Sequence, residues 1–158
     1  SIEIRKEQGE EFSAFRGLFN QYEIMYVFGD ENDLIKLRSN YRKDNVFIYP
    51  AKTSKEKMQE LFLDMVKRAN KLKNEPEFYN TLTNTCTTNI VKHINTISPK
   101  RVPFSYRVLM PGYSDELAFE LDLIDTELGL DEARKEFLIN DKALEFAKSP
   151  DFSIKIRE

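Results

Sequence analysis

Thr53-Ser-Lys-Glu-Lys-Met-Gln-Glu-Leu-Phe-Leu-Asp-Met-Val-Lys-Arg-Ala-Asn-Lys-Leu-Lys73 is the stretch on which the fold turns, because here the apolar spacing changes from that of strands to that of a helix. Met58, Leu61, Phe62, Met65, Val66, Ala69 and Leu72 recur at three- and four-residue intervals, which places them along one side of an α-helix. Thr53 followed three residues later by Glu56 has the form of a capping box, and together these signals predict a helix over roughly residues 54–73. Lys55, Lys57, Lys67, Lys71 and Lys73 are interspersed with Glu56, Glu60 and Asp64, the pattern of an ordinary solvated face and not of a binding patch.

On the amino-terminal side the period is closer to two. Strands are predicted near 1–6, 22–28, 33–38 and 45–50, from Ile2 and Ile4, from Tyr22-Glu-Ile-Met-Tyr-Val-Phe28, from Asp33-Leu-Ile-Lys-Leu-Arg38 and from Val46-Phe-Ile-Tyr49. The connections between them are short, which favours antiparallel pairing, with Phe12 to Asn20 as a short helical or irregular link. On the other side, Asn74-Glu-Pro-Glu77 stops the long helix. A second helix is predicted from Cys86 to Ile97, with Ile90, Val91, Ile94 and Ile97 as its apolar stripe and Ser98-Pro99 as its stop. Pro103, Pro111 and Gly112 mark an irregular aromatic stretch, and shorter helices are predicted around Asp115 to Leu123, Asp131 to Phe137 and Asp141 to Ala147. The whole reads as one α+β domain over 1–158, a small antiparallel sheet packed on helices with a helical carboxy-terminal part. Ser1-Ile-Glu-Ile-Arg5 already alternates like the middle of a strand, so the chain is expected to be a fragment lacking one or more strands upstream.

Composition removes several function classes. The 24 basic and 27 acidic side chains give a net charge of −3 without a basic cluster, so no nucleic-acid partner is expected. One cysteine and one histidine make neither an internal disulfide nor a zinc site of thiolates and imidazoles, and no metal is expected. The five glycines are scattered and form no phosphate-cradling loop, so no cofactor is implied. No apolar run approaches the roughly 20 residues of a membrane-spanning helix, and any membrane association is expected through segments outside this chain. The acidic residues Glu116, Glu120, Asp122 and Asp125 have the spacing of ordinary surface charge, which gives little support to carboxylate-based hydrolysis.

That leaves the single thiol as the chemistry-bearing group. Cys86 lies at a predicted helix start inside Tyr79-Asn-Thr-Leu-Thr-Asn-Thr-Cys-Thr-Thr-Asn-Ile90. A free thiol with a pKa of ~8.5 is only about 3% ionised at neutral pH. A helix start contributes ~0.3–1 kcal/mol, which lowers the pKa by less than about one unit, so a nucleophilic Cys86 needs an imidazole beside it. His93 is the only histidine and follows seven residues later, about 10 Å along the same helix at ~1.5 Å per residue, too far to serve. The plain alternative is a small core thiol, since Cys86 is spaced four and eight residues from Ile90 and Ile94. Against it stands a polar collar of Thr83, Asn84, Thr85, Thr87, Thr88 and Asn89, more than one cap requires, with Asn84, Thr85 and Thr87 as candidates for shaping an oxyanion site.

The run from Tyr79 to Ile90 resembles the cysteine motif of the bacterial lipoprotein N-acyltransferase N-terminal periplasmic domain family, long catalogued as a domain of unknown function. The similarity extends in order through Ser1-Ile-Glu-Ile-Arg-Lys6, Gln21-Tyr-Glu23, Asp64 to Asn70, Pro111-Gly-Tyr-Ser-Asp115 and Ile139-Asn-Asp141. The resemblance implies a core similar to permuted papain-like hydrolases and acyltransferases, with a histidine on an early strand ahead of a cysteine at a helix start. That histidine would lie upstream of Ser1. The chain departs from the family pattern in carrying Thr85 directly before the cysteine, where the family has Asn; Asn84 stands one position earlier.

Two readings follow. In the first, Cys86 is the nucleophile of a cysteine-dependent acyl transfer or amide/ester hydrolysis in a periplasmic domain whose parent is membrane-anchored, with a lipid or a lipoprotein peptide as substrate, and this fragment is inactive for want of its base. In the second, the domain is a non-catalytic envelope module, Cys86 is a core residue, and the stretch from Phe104 to Tyr113 binds lipid or peptide unless it simply fills the core.

Overall fold

The computed structural model describes all residues from Ser1 to Glu158. In chain order the elements are β1 (Ile2–Arg5), α1 (Ala14–Leu18), β2 (Glu23–Tyr26), α2 (Glu31–Lys36), a π-helical turn (Leu37–Arg42), α3 (Lys55–Leu72), α4 (Cys86–Ile97), α5 (Tyr106–Leu109), a 3-10 turn (Pro111–Tyr113), α6 (Ser114–Glu120), α7 (Leu130–Glu136), α8 (Asn140–Glu145) and α9 (Phe152–Lys155). The class is α+β, as the sequence predicts, although the sheet holds two strands and not four. The chain forms two compact units, one of Ser1–Val27 with Thr53–Leu123, the other of Phe28–Lys52 with Ile124–Glu158. No helix is long and apolar enough to cross a membrane.

The first unit is built around β1, β2, α3 and α4. The strands pair antiparallel with Ile2 opposite Tyr26 and Ile4 opposite Ile24. Directly opposed residues share a face, so Tyr26 stands on the side of Ile2 and Ile24, both buried. The far edge of β2 is partly covered by the segment after α3, through hydrogen bonds from Ile24 N to Glu77 O (2.9 Å) and from Tyr79 N to Tyr22 O (2.7 Å). A two-stranded sheet is marginal alone and here depends on the helices.

Helix α3 confirms the predicted span within a residue at each end, but Ser54 caps it by accepting from Lys57 N at 3.3 Å, in place of Thr53. A serine one position closer to the helix presents its hydroxyl to the third amide, which Thr53 cannot reach once the helix begins at Lys55. The packed side is more polar than the apolar spacing implies: Asp64 and Arg68 are partly buried beside Leu61 and Met65, whereas Met58 and Leu63 are exposed.

Helix α4 begins and ends at the predicted residues. Its apolar side packs Val91 and Ile94 against Val102, Val108 and Leu117. Its most buried residues, however, are Thr88, Asn89 and His93, while Ile90 is 41% exposed. Before it, the loop from Tyr79 is tied to α1: Thr81 Oγ1 donates to Ala14 O at 2.8 Å and Asn80 Nδ2 to Leu18 O at 3.1 Å. Gly17 makes that approach possible, since a Cβ there would lie 2.5 Å from Thr81 Oγ1.

In the second unit, residues 33–38 are helical, which corrects the strand predicted there. Asp30 caps α2 by accepting from Asn32 N at 2.8 Å, and Leu34 N closes on Asp30 O at 3.0 Å. Leu34, Ile35 and Leu37 fit a helix face as well as a strand, and the cap decides between them. The segment 45–50, also expected as a strand, is extended but joins no sheet. It is held by single bridges of Phe47 to Leu138 and, just beyond, Ala51 to Ile124. Its apolar residues Val46 and Ile48 instead pack on the core of Ile139, Ala143, Phe152 and Ile156. Asn140 fixes the approach, accepting from Val46 N and donating to Asp44 O, both at 2.8 Å. The predicted carboxy-terminal helices are present as α7 and α8, with α9 in addition.

Candidate functional site

Cys86 is the first residue of α4 and is partly exposed; its Sγ lies 3.7 Å from Thr87 Oγ1. Thr85 is the cap and is buried, accepting from Thr88 N at 3.2 Å while Thr88 Oγ1 accepts from Thr85 N at 2.7 Å. Thr87 is thus the collar residue in contact with the sulfur. Asn84 is committed to the loop behind it. Its Nδ2 donates to Phe78 O at 2.8 Å, and its Oδ1 accepts from Asn89 Nδ2 at 3.0 Å and from Lys92 Nζ at 3.2 Å. Asn89, fully buried, also donates to Thr85 O at 2.6 Å. Much of the collar is therefore engaged in holding the turn into the helix. The amides of Cys86 and Thr87 lie in the first helical turn, where a helix offers no internal acceptor. Burial pushes the Tyr79 phenol above its ordinary pKa, with the nearby Cys86 sulfur adding to the effect.

The other end of α4 carries a constellation that sequence reading did not assemble. His93, only 2% exposed, is engaged at both ring nitrogens: Nδ1 is 2.7 Å from Asp64 Oδ2 on α3, and Nε2 is 2.6 Å from Tyr26 Oη on β2. A carboxylate has no hydrogen to give, so Nδ1 donates to Asp64, and in the neutral form of the ring Nε2 accepts from the tyrosine hydroxyl. Burial pushes the Tyr26 phenol up to about 12, with the carboxylates of Glu77 and Asp64 adding to the rise and the Arg68 guanidinium opposing it. Arg68 pairs with Glu77 at 2.6 Å, and Lys92 is held below its ordinary range by burial and by the positive charge of Arg68.

Asp64 therefore does not belong to the solvated face of α3 to which its alternation with lysines assigned it. Two signals were available: Tyr26 is two residues from Ile24 and so faces inward with it, and Asp64 is three residues from Leu61 on the packed side of α3. His93 does not reach Cys86, in agreement with the spacing argument. No group of three or more His, Cys, Asp and Glu side chains is arranged to hold a metal ion.

The first unit is thus an α+β module in which a small sheet and a long helix hold a second helix that starts with a partly exposed thiol. A family model described as the Lnb N-terminal periplasmic domain matches residues 1–112, and the chain belongs to that family of periplasmic domains. No curated protein and no solved structure matches the chain.

Proposed function

We propose that this domain performs cysteine-dependent acyl transfer or amide/ester hydrolysis in the bacterial envelope, with Cys86 as nucleophile. The observation that carries this reading is the placement of the thiol: the first residue of a twelve-residue helix, partly exposed, outside both hydrophobic clusters, with the capping role taken by Thr85. Nothing in the stability of the helix start requires a sulfur there. Attack of the thiolate on an ester or amide carbonyl forms a thioester and releases an alcohol or amine, and water or an acceptor amine then resolves it. The first-turn amides of Cys86 and Thr87 supply donors for the developing oxyanion.

The base is proposed to be a histidine preceding Ser1 in the parent protein. Support comes from His93, whose two nitrogens are occupied by Asp64 and Tyr26 and are unavailable to the thiol. Lipid or lipoprotein peptide as substrate, a papain-like arrangement and membrane anchoring through segments outside this chain belong to the same proposal.

A second reading is favoured by one observation. Phe104 is 74% exposed and Tyr106 57%, so these two rings lie outside the core, to which the same stretch contributes Val108, and are free to contact lipid or peptide in a non-catalytic module. Iodoacetamide labelling of the parent protein over a pH series separates the two. A catalytic Cys86 reacts well below pH 8, and Cys86→Ala abolishes both labelling and acyl-enzyme formation. A labelling midpoint near ~8.5, that of a free thiol, would leave only the binding module.

A further inference from the structure

Asp64, His93 and Tyr26 come from three elements and are separated in sequence by 29 residues (Asp64 to His93) and 67 residues (Tyr26 to His93), yet they form one continuous hydrogen-bonded chain. The order is carboxylate, imidazole, hydroxyl. The imidazole is shielded from solvent at 2% exposure, which keeps water from competing for Nε2, while the Tyr26 side chain is partly exposed. A buried brace needs only satisfied hydrogen bonds; this one also presents a hydroxyl on the lone pair of an oriented, carboxylate-backed imidazole, the relation that makes an otherwise unreactive hydroxyl nucleophilic.

We infer that Tyr26 is a base-assisted hydroxyl nucleophile directed at ester-type acyl electrophiles, a centre separate from Cys86. In the step it performs, the Tyr26 Oη–H proton passes to His93 Nε2 as Oη bonds to the carbonyl carbon. The carbon–oxygen bond to the leaving alcohol breaks, and the proton on Nε2 is delivered to that alkoxide. Asp64 is the positioning residue: it holds the Nδ1–H tautomer and stabilises the imidazolium formed in passing. Water then cleaves the tyrosyl ester by the reverse use of His93.

Tyr26 and Tyr41 provide an internal comparison, because Tyr41 is 80% exposed and lies in the other unit. An aryl sulfonyl fluoride probes the centre directly: the Tyr26 oxygen–sulfur bond forms, the sulfur–fluorine bond breaks, fluoride leaves and His93 takes the proton. Were ionisation alone responsible, Tyr26 would label about 100-fold more slowly than an exposed phenol, since its pKa is pushed up to about 12 from a reference of ~10. Base assistance reverses the order, and Tyr26 is expected to label at least tenfold faster than Tyr41 near neutral pH, as read by peptide mass spectrometry on the Cys86→Ala protein. Asp64→Asn and His93→Gln are expected to lower the Tyr26 rate at least tenfold and leave the Tyr41 rate unchanged in protein that remains folded by circular dichroism. Slower labelling of Tyr26 than of Tyr41 in the otherwise unchanged protein overturns the inference without any variant at the triad. Equal loss of both rates in the variants would reduce it to a folding effect. Because these measurements use Cys86→Ala protein, their failure leaves the proposal for Cys86 untouched.

Discussion

The two ends of α4 show opposite uses of polar residues. At the amino end, a partly exposed cysteine heads a turn whose threonines and asparagines bond to backbone and to one another, so altering the thiol is expected to cost the fold little. At the other end, His93 is sealed between α3 and β2, and its two partners depend on it as much as it does on them. The same helix thus carries a residue whose value lies in its exposure and one whose value lies in its burial. Polar identity alone does not distinguish them.

The largest expected effect tests the exposed end. On the proposed role of Cys86 as nucleophile, Cys86→Ser should reduce turnover by roughly 10³-fold or more, as measured by steady-state kinetics, because an alkoxide is far harder to generate than a thiolate. The denaturation midpoint should hardly move; a large loss of stability would place Cys86 structurally nearer to His93 than its exposure implies. Next comes the buried end. His93→Ala removes a ring and strands a hydroxyl and a carboxylate in a poorly solvated place, so urea unfolding should show a loss of about 2–4 kcal/mol.

A smaller effect sharpens the comparison at the cap. Thr85→Ala removes the side-chain half of the capping box and should cost about 1 kcal/mol, checked by thermal unfolding. Because the cap also sets the direction of the first turn, the same variant should alter the reaction rate of Cys86, a readout that stability alone would not move. The remaining effect, diminished by the partial exposure of its side chain, is the pH dependence from Tyr26. Its folded pKa, about 12, is above the unfolded value of ~10, so the folded state holds the proton more tightly. The resulting stability is complete below about pH 10 and is lost as pH rises from about 10 through 12. Unfolding free energies measured across that window should fall, and Tyr26→Phe should flatten the fall.

Several of these features were legible in the chain itself. The spans of α3 and α4, the presence of strands near 1–6 and 22–28 in an antiparallel sheet, the helix-start position of Cys86 and the separation of His93 from it all follow from spacing between neighbours in sequence. The reading failed where local signals were ambiguous. Residues 33–38 carry apolar positions that suit both periods, and a single aspartate, Asp30, at the helix start resolved them as helix. The stretch 45–50 has strand character but found its partners in the carboxy-terminal helices and not in a sheet.

By itself, then, the sequence determined the α+β class, the main helices and the thiol at the head of α4, because periodicity, capping and chain stops act between residues a few positions apart. Only the tertiary structure decided that His93 belongs with Asp64 and Tyr26, that Asp64 faces inward and that Phe104 faces out. Those outcomes depend on which helix faces meet the sheet, and a hydrogen bond spanning 67 residues leaves no mark in the spacing of either partner's neighbours.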